Sequence, residues 1–101
     1  MNVNVHSIHF DADSKLVNFI TEKVNKLTVF HDRIISSEVT LRVGSDSERP
    51  DNKHVEIRLA VPGNDLFAKR KASSFEEAAV LTVDALRNQV EREKTKAREV
   101  R

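Results

Sequence analysis

The chain has 101 residues, no cysteine, and 17 lysines and arginines against 16 aspartates and glutamates, a net charge of +1. That length fits one domain around one core, and the lack of cysteine excludes disulfides and thiolate metal sites. Near neutrality removes bulk basicity as an argument for nucleic-acid binding, so any such case rests on where the charges lie.

The N-terminus, MNVNVHSIHF, has no basic stretch leading into a long apolar run, so it does not read as a secretory signal. No run of about 18 apolar residues follows, so no transmembrane helix is expected, and a cytoplasmic protein is the simplest reading. In residues 3–10, Val3 and Val5 alternate with polar neighbours and predict a short strand. Asp11 and the pair Asp13-Ser14 are candidate caps for a helix that starts there. From Ser14 to Leu27, the residues Leu16, Ile20, Val24 and Leu27 recur at helical spacing, with Val17 and Phe19 beside them. Phe30 and Ile34 are expected to close over the helix end.

Residues 37–43 alternate Val39, Leu41 and Val43 with Glu38, Thr40 and Arg42, the pattern of a half-buried strand. Residues 44–53 are polar, with Gly44 and Pro50, and read as a loop. Val55, Ile57, Leu59 and Val61 predict a third strand; Pro62-Gly63-Asn64-Asp65 reads as a turn, and residues 66–72 as a return strand. Ser73 or Ser74 can cap a second helix, with Glu76 and Glu77 suiting the positive end of its dipole. Its apolar stripe is Phe75, Ala79, Val83, Leu86 and Val90; beyond Val90 the sequence is almost wholly polar, and the helix is expected to fray from about residue 97. The order β-α-β-β-β-α implies an α+β fold. A four-stranded sheet would begin with a right-handed crossover, and both helices would share one face.

The basic residues are not scattered. On the first helix, Lys15, Lys23 and Lys26 fall within about 80° of one another beside the apolar stripe, with Glu22 nearby and Arg33 just beyond. On the second, Arg87, Lys94, Arg98 and Arg101 fall within about 60°, with Glu91 among them, and Arg92 and Lys96 form another pair. Residues 86–101 hold six basic and three acidic side chains, a local balance of +3. Lysine and arginine at helical spacing can meet successive phosphates and release their counterions. The rival reading is a solvated face laced by i,i+4 pairs such as Arg87 with Glu91. Lys69 and Lys71 would share one face of their strand, with Arg70 on the other.

Other chemistries find little support. His6 and His9 would fall on opposite faces of a strand, and His31 and His54 have no obvious partner, so no metal site is expected. No nucleophile-elbow, Walker or dinucleotide-binding motif occurs. No carboxylate has the apolar flanks that raise a pKa for acid–base work, so no catalytic residue or small-molecule substrate is expected. The aromatic residues are five phenylalanines. Phe19 and Phe75 suit the core and Phe67 stands alone on a strand, so base stacking is not expected.

In order and spacing, the segments resemble the ribosome hibernation-promoting factors, also described as ribosome-associated translation inhibitors. VNVHSIHFDADSKLVNFITEKVNKLTVFHDRI resembles the family's first strand and helix, and KLTVFHDRI, Lys26 to Ile34, its lysine-leucine, aromatic-aspartate-arginine signature. VEIRLAVPGNDLFAKRKASS resembles its third and fourth strands, and DALRNQVEREKTK, Asp84 to Lys96, its closing helix. The resemblance implies a fold similar in plan to a double-stranded RNA-binding domain, and control of translation under stress and in stationary phase. It implies binding to ribosomal RNA in the small-subunit channel between head and body, overlapping messenger RNA and A- and P-site tRNA. The matching basic positions are Lys23, Lys26, Arg33, Arg87, Arg92, Lys94 and Lys96; Lys15, Lys69, Lys71 and Arg98 are further candidates for RNA contact. Two positions depart from the family pattern: Ser74-Phe75-Glu76 stands where an acidic-x-Tyr start is common, and His31 where a second aromatic is common. The sequence stops at Arg101 without the domain through which long members pair ribosomes. Pairing is therefore expected to need a separate factor. The alternatives are a protein-interaction module and a general double-stranded RNA binder.

Overall fold

Strand β1 (Asn2–Ile8) leads through a left-handed turn residue, His9 at φ 66°, to helix α1 (Ser14–Asn25). Histidine tolerates this conformation better than most side chains. The computed structural model describes residues 1–44 and 50–99, and side chains as far as residue 92. Residues 45–49 of the expected polar loop, and residues 100–101 of the expected frayed end, lie outside the described residues. Asp13 is the N-cap of α1: its Oδ1 accepts from the Leu16 amide at 2.8 Å, and its carbonyl from the Val17 amide at 3.1 Å. The helix then tightens into a 3-10 turn, Lys26–Val29, that carries Leu27 into the core.

Strands β2 (Ser36–Val43), β3 (Lys53–Ala60) and β4 (Leu66–Ala72) follow, and the second helix, α2, runs Phe75–Glu99. The sheet order is β1-β2-β3-β4. β1 and β2 are parallel, as the helix between them allows, with Val5 beside Val39. β2–β3 and β3–β4 are antiparallel, with Val39 opposite Ile57 and Ile57 opposite Ala68. Between β3 and β4, Pro62 and Gly63 occupy the central positions of a turn closed by the Asn64 amide on the Val61 carbonyl. Gly63 has φ 87°, which the second central position of a type II turn requires and a side chain would oppose.

Alternation decides the two faces. Val39, Leu41, Val55, Ile57, Leu59, Leu66 and Ala68 are buried beneath the helices, together with Ile20, Val24 and Leu27 from the α1 side and Phe75, Ala78, Ala79, Leu86 and Val90 from α2. Full burial of each leucine, isoleucine or valine contributes about 1.5–3 kcal/mol, so this layer is the main cohesion of the fold. Both helices lie on that one face: α2 packs on β3 and β4, and α1 packs on β1 and on α2. Ser74 is the cap of α2, its Oγ accepting from the Glu77 amide at 3.1 Å, while the Ser73 hydroxyl donates to the Glu77 carboxylate.

Three details differ from the sequence pattern. Val43 keeps the parity of a core residue yet is exposed, because β2 runs past the cover of the helices. Thr82, absent from the apolar stripe, is fully buried; its hydroxyl donates to the Ala78 carbonyl at 2.7 Å and the Val55 carbonyl at 3.3 Å, tying α2 to β3. Phe10 lies outside the strand and stacks on Phe75, with ring centroids 5.1 Å apart.

Candidate nucleic-acid interface

The helix-free face of the sheet presents Asn4, His6, Glu38, Thr40, Arg42, Glu56, Arg58, Phe67, Lys69 and Lys71, and its charges are largely paired among themselves. Glu38 accepts from Asn4 Nδ2 at 3.1 Å and lies 2.9 Å from His6 Nε2. The hydrogen bond from Asn4, followed by that from His6, holds the Glu38 carboxyl below the ordinary glutamate range. Glu56 lies 3.7 Å from Lys69 Nζ and 4.0 Å from Arg42 Nη1, and Asp51 lies 3.7 Å from Lys71 Nζ. Lys69 and Lys71 therefore sit on the opposite side of the sheet from the helices, each beside a carboxylate.

The helix side is arranged differently. Packing α1 against α2 brings Lys23, Lys26 and Arg87 around one groove of ≈ 480 Å³, whose lining also includes Leu27, Val29, Phe30, Val80, Val83 and Asp84. Three cations thus rim an apolar floor, with Asp84 the acidic residue in that lining. The local sequence explains the placement. Lys23 is in the last turn of α1, where a cation suits the negative end of the helix dipole. Lys26 opens the 3-10 turn, and that turn directs Leu27 inward while leaving Lys26 exposed.

Two of the cations are held by aromatic rings. The Arg87 guanidinium lies over Phe30 at 4.4 Å from the ring centroid, and Lys23 Nζ lies 5.5 Å from that of Phe19. Arg87 Nε also lies 3.6 Å from Glu91 Oε1, the i,i+4 pair expected from the sequence. Exposed pairs of this kind are worth about 0.3–0.5 kcal/mol, too little to keep Arg87 from a phosphate.

The remaining candidates are more dispersed. Lys15 is exposed in the first turn of α1, eight positions and so about 12 Å along the axis from Lys23. Arg33 is exposed beyond the 3-10 turn, where its amide donates to His31 Nδ1 at 3.0 Å. Arg92 is exposed about 140° around α2 from Arg87, away from the groove. Lys94, Lys96 and Arg98 belong to α2, but their side chains lie outside the described residues. The sequence reading missed the apolar lining. Val80, Val83 and Arg87 fall within about 60° on the helix wheel, a signal present in the sequence, whereas no spacing in the sequence places the Phe30 ring against Arg87.

A family model described as sigma 54 modulation protein / S30EA ribosomal protein matches residues 3–98. The fold is similar to that of the Protein Y N-terminal domain from Thermus thermophilus, with a TM-score of 0.78 and 19% identity over 91% of this chain and 98% of that one. It is also similar to a ribosomal subunit interface protein from Coxiella burnetii, with a TM-score of 0.83 and 16% identity over 94% of this chain and 99% of that one. Among curated proteins none matches the chain.

Proposed function

The chain belongs to the sigma 54 modulation protein / S30EA ribosomal protein family, and on that premise we propose that it is a hibernation factor, a translation inhibitor acting through contact with small-subunit ribosomal RNA. The family is one of ribosome-associated modulators rather than of enzymes. The observation that carries the RNA reading is the gathering of Lys23 and Lys26 with Arg87, distant in sequence from both, around one groove. Lys15, Arg92, Lys94, Lys96 and Arg98 on the two helices, and Arg33 beyond the 3-10 turn, are further candidates for RNA contact outside this groove.

In this reading the helix side meets the phosphates of folded RNA, and each neutralised phosphate releases counterions. The protein sits between head and body of the small subunit, where it excludes messenger RNA and A- and P-site tRNA. Inhibition is steric, so it needs neither a cofactor nor a reacting group. It acts in the cytoplasm, where the ribosomes are.

Co-sedimentation with purified subunits tests this. The protein is expected to travel with the small subunit at low salt and to be released as salt rises. No association with the small subunit at any salt would reject the reading. Equal affinity for an arbitrary RNA duplex and for the subunit would replace it with that of a general duplex binder.

A further inference from the structure

We propose that the groove between the 3-10 turn and α2 receives one unpaired nucleobase of RNA, stacked on the Arg87 guanidinium, with the flanking phosphates at Lys23 and Lys26. The inference rests on the RNA-binding reading above and adds to it what the site recognises.

The floor of the groove is the first reason. Val29 is 80% exposed and Val80 37%, and they adjoin Leu27, Phe30 and Val83 in the same lining. A surface that meets RNA only through phosphates gains nothing from exposed apolar side chains, because a phosphate cannot remove them from water favourably. A base has an apolar face and can. The second reason is the platform. The centre of the Arg87 guanidinium lies 4.4 Å from the Phe30 ring centroid, and the side chain is 52% exposed, so a second ring can reach the planar group from solvent. Unstacked RNA bases are commonly received on such planes.

Charge supplies the third reason. Lys23, Lys26 and Arg87 at the rim match a polyanion whose base is turned inward. Asp84, an acid in this otherwise basic lining, offers an acceptor to the exocyclic amine of adenine, cytosine or guanine. An aliphatic side chain from a protein partner would use the floor but neither the Arg87 plane nor Asp84.

The test compares two RNA hairpins with the same stem, one fully paired and one with a single unpaired adenosine. Binding of the full chain is followed by fluorescence anisotropy. The bulged hairpin is expected to bind about tenfold more tightly, the scale of one stacked base. Val80→Trp fills the groove from an exposed helix position, and Phe30→Leu removes the ring while keeping an apolar side chain. Both are expected to erase the preference for the bulged hairpin. With 2-aminopurine at the bulge, wild-type protein is expected to change its fluorescence. Equal affinity for the two hairpins, a preference that survives Val80→Trp, or unchanged 2-aminopurine emission would each overturn the proposal. So would a concentration-dependent dimer abolished by Val80→Trp, which would assign the groove to a second copy. Binding both hairpins equally would leave the RNA reading standing, whereas binding neither hairpin nor ribosome would remove both.

Discussion

At the scale of single residues, the two faces of the sheet can be probed separately. On the solvent face, Asn4 and His6 hold Glu38 in its charged form. A carboxyl lowered on folding adds stability above its unfolded pKa, and that stability is lost as pH falls through the folded value. An NMR titration is therefore expected to place the Glu38 midpoint below that of an ordinary glutamate. Asn4→Ala should move it upward, and an unchanged midpoint would contradict the hydrogen bond from Asn4. On the buried face, the Ser37 hydroxyl finds no hydrogen-bond partner among the described residues although the side chain is fully buried. A buried unsatisfied polar group costs about 1–3 kcal/mol. Ser37→Ala is expected to raise unfolding stability in urea by about 1 kcal/mol, and a loss would show that the hydroxyl is satisfied.

At the scale of elements, the start of α1 depends on Asp13. Its carboxylate satisfies an amide that the helix itself cannot, and removing such a cap costs about 1 kcal/mol. Asp13→Ala is expected to lower thermal stability by several degrees, while Asp13→Asn, an equally good cap, should cost little. Similar effects from both would argue that the charge rather than the acceptor matters. The elements were legible because period and punctuation agreed in each. Leu16, Ile20 and Val24 repeat at helical spacing after Asp13, and Val55, Ile57 and Leu59 alternate up to Pro62-Gly63. What was not legible depends on contact between elements. Thr82 is polar by composition, and only the approach of α2 to β3 gives its hydroxyl a second carbonyl. Val43 obeys its strand's parity, but exposure there depends on how far the helices reach. The cation set was partly readable: Lys23, Lys26 and Arg87 stood out by angle, but only docking of α1 on α2 joins them and supplies Phe30 beneath Arg87.

At the scale of the whole molecule, a net charge of +1 coexists with the cations of the groove because acidic side chains gather elsewhere, at Asp11 and Asp13 before α1 and at Glu76 and Glu77 in the first turn of α2. Salt dependence of ribosome binding should then follow the helix face and not the total charge. Each charge removed there is expected to reduce the logarithmic salt slope by about one, and a slope unchanged on neutralising Lys26 would remove that residue from the interface. The most direct measurement compares two double reversals that alter the total charge equally, Lys26→Glu with Arg87→Glu on the helix side, and Arg42→Glu with Arg58→Glu on the sheet face. Each purified variant is added to an in vitro translation reaction after circular dichroism confirms its fold. The expected result is that wild type and the sheet-face variant inhibit translation, while the helix-side variant is at least about tenfold weaker. Undiminished inhibition by a folded helix-side variant would contradict ribosome silencing through this face.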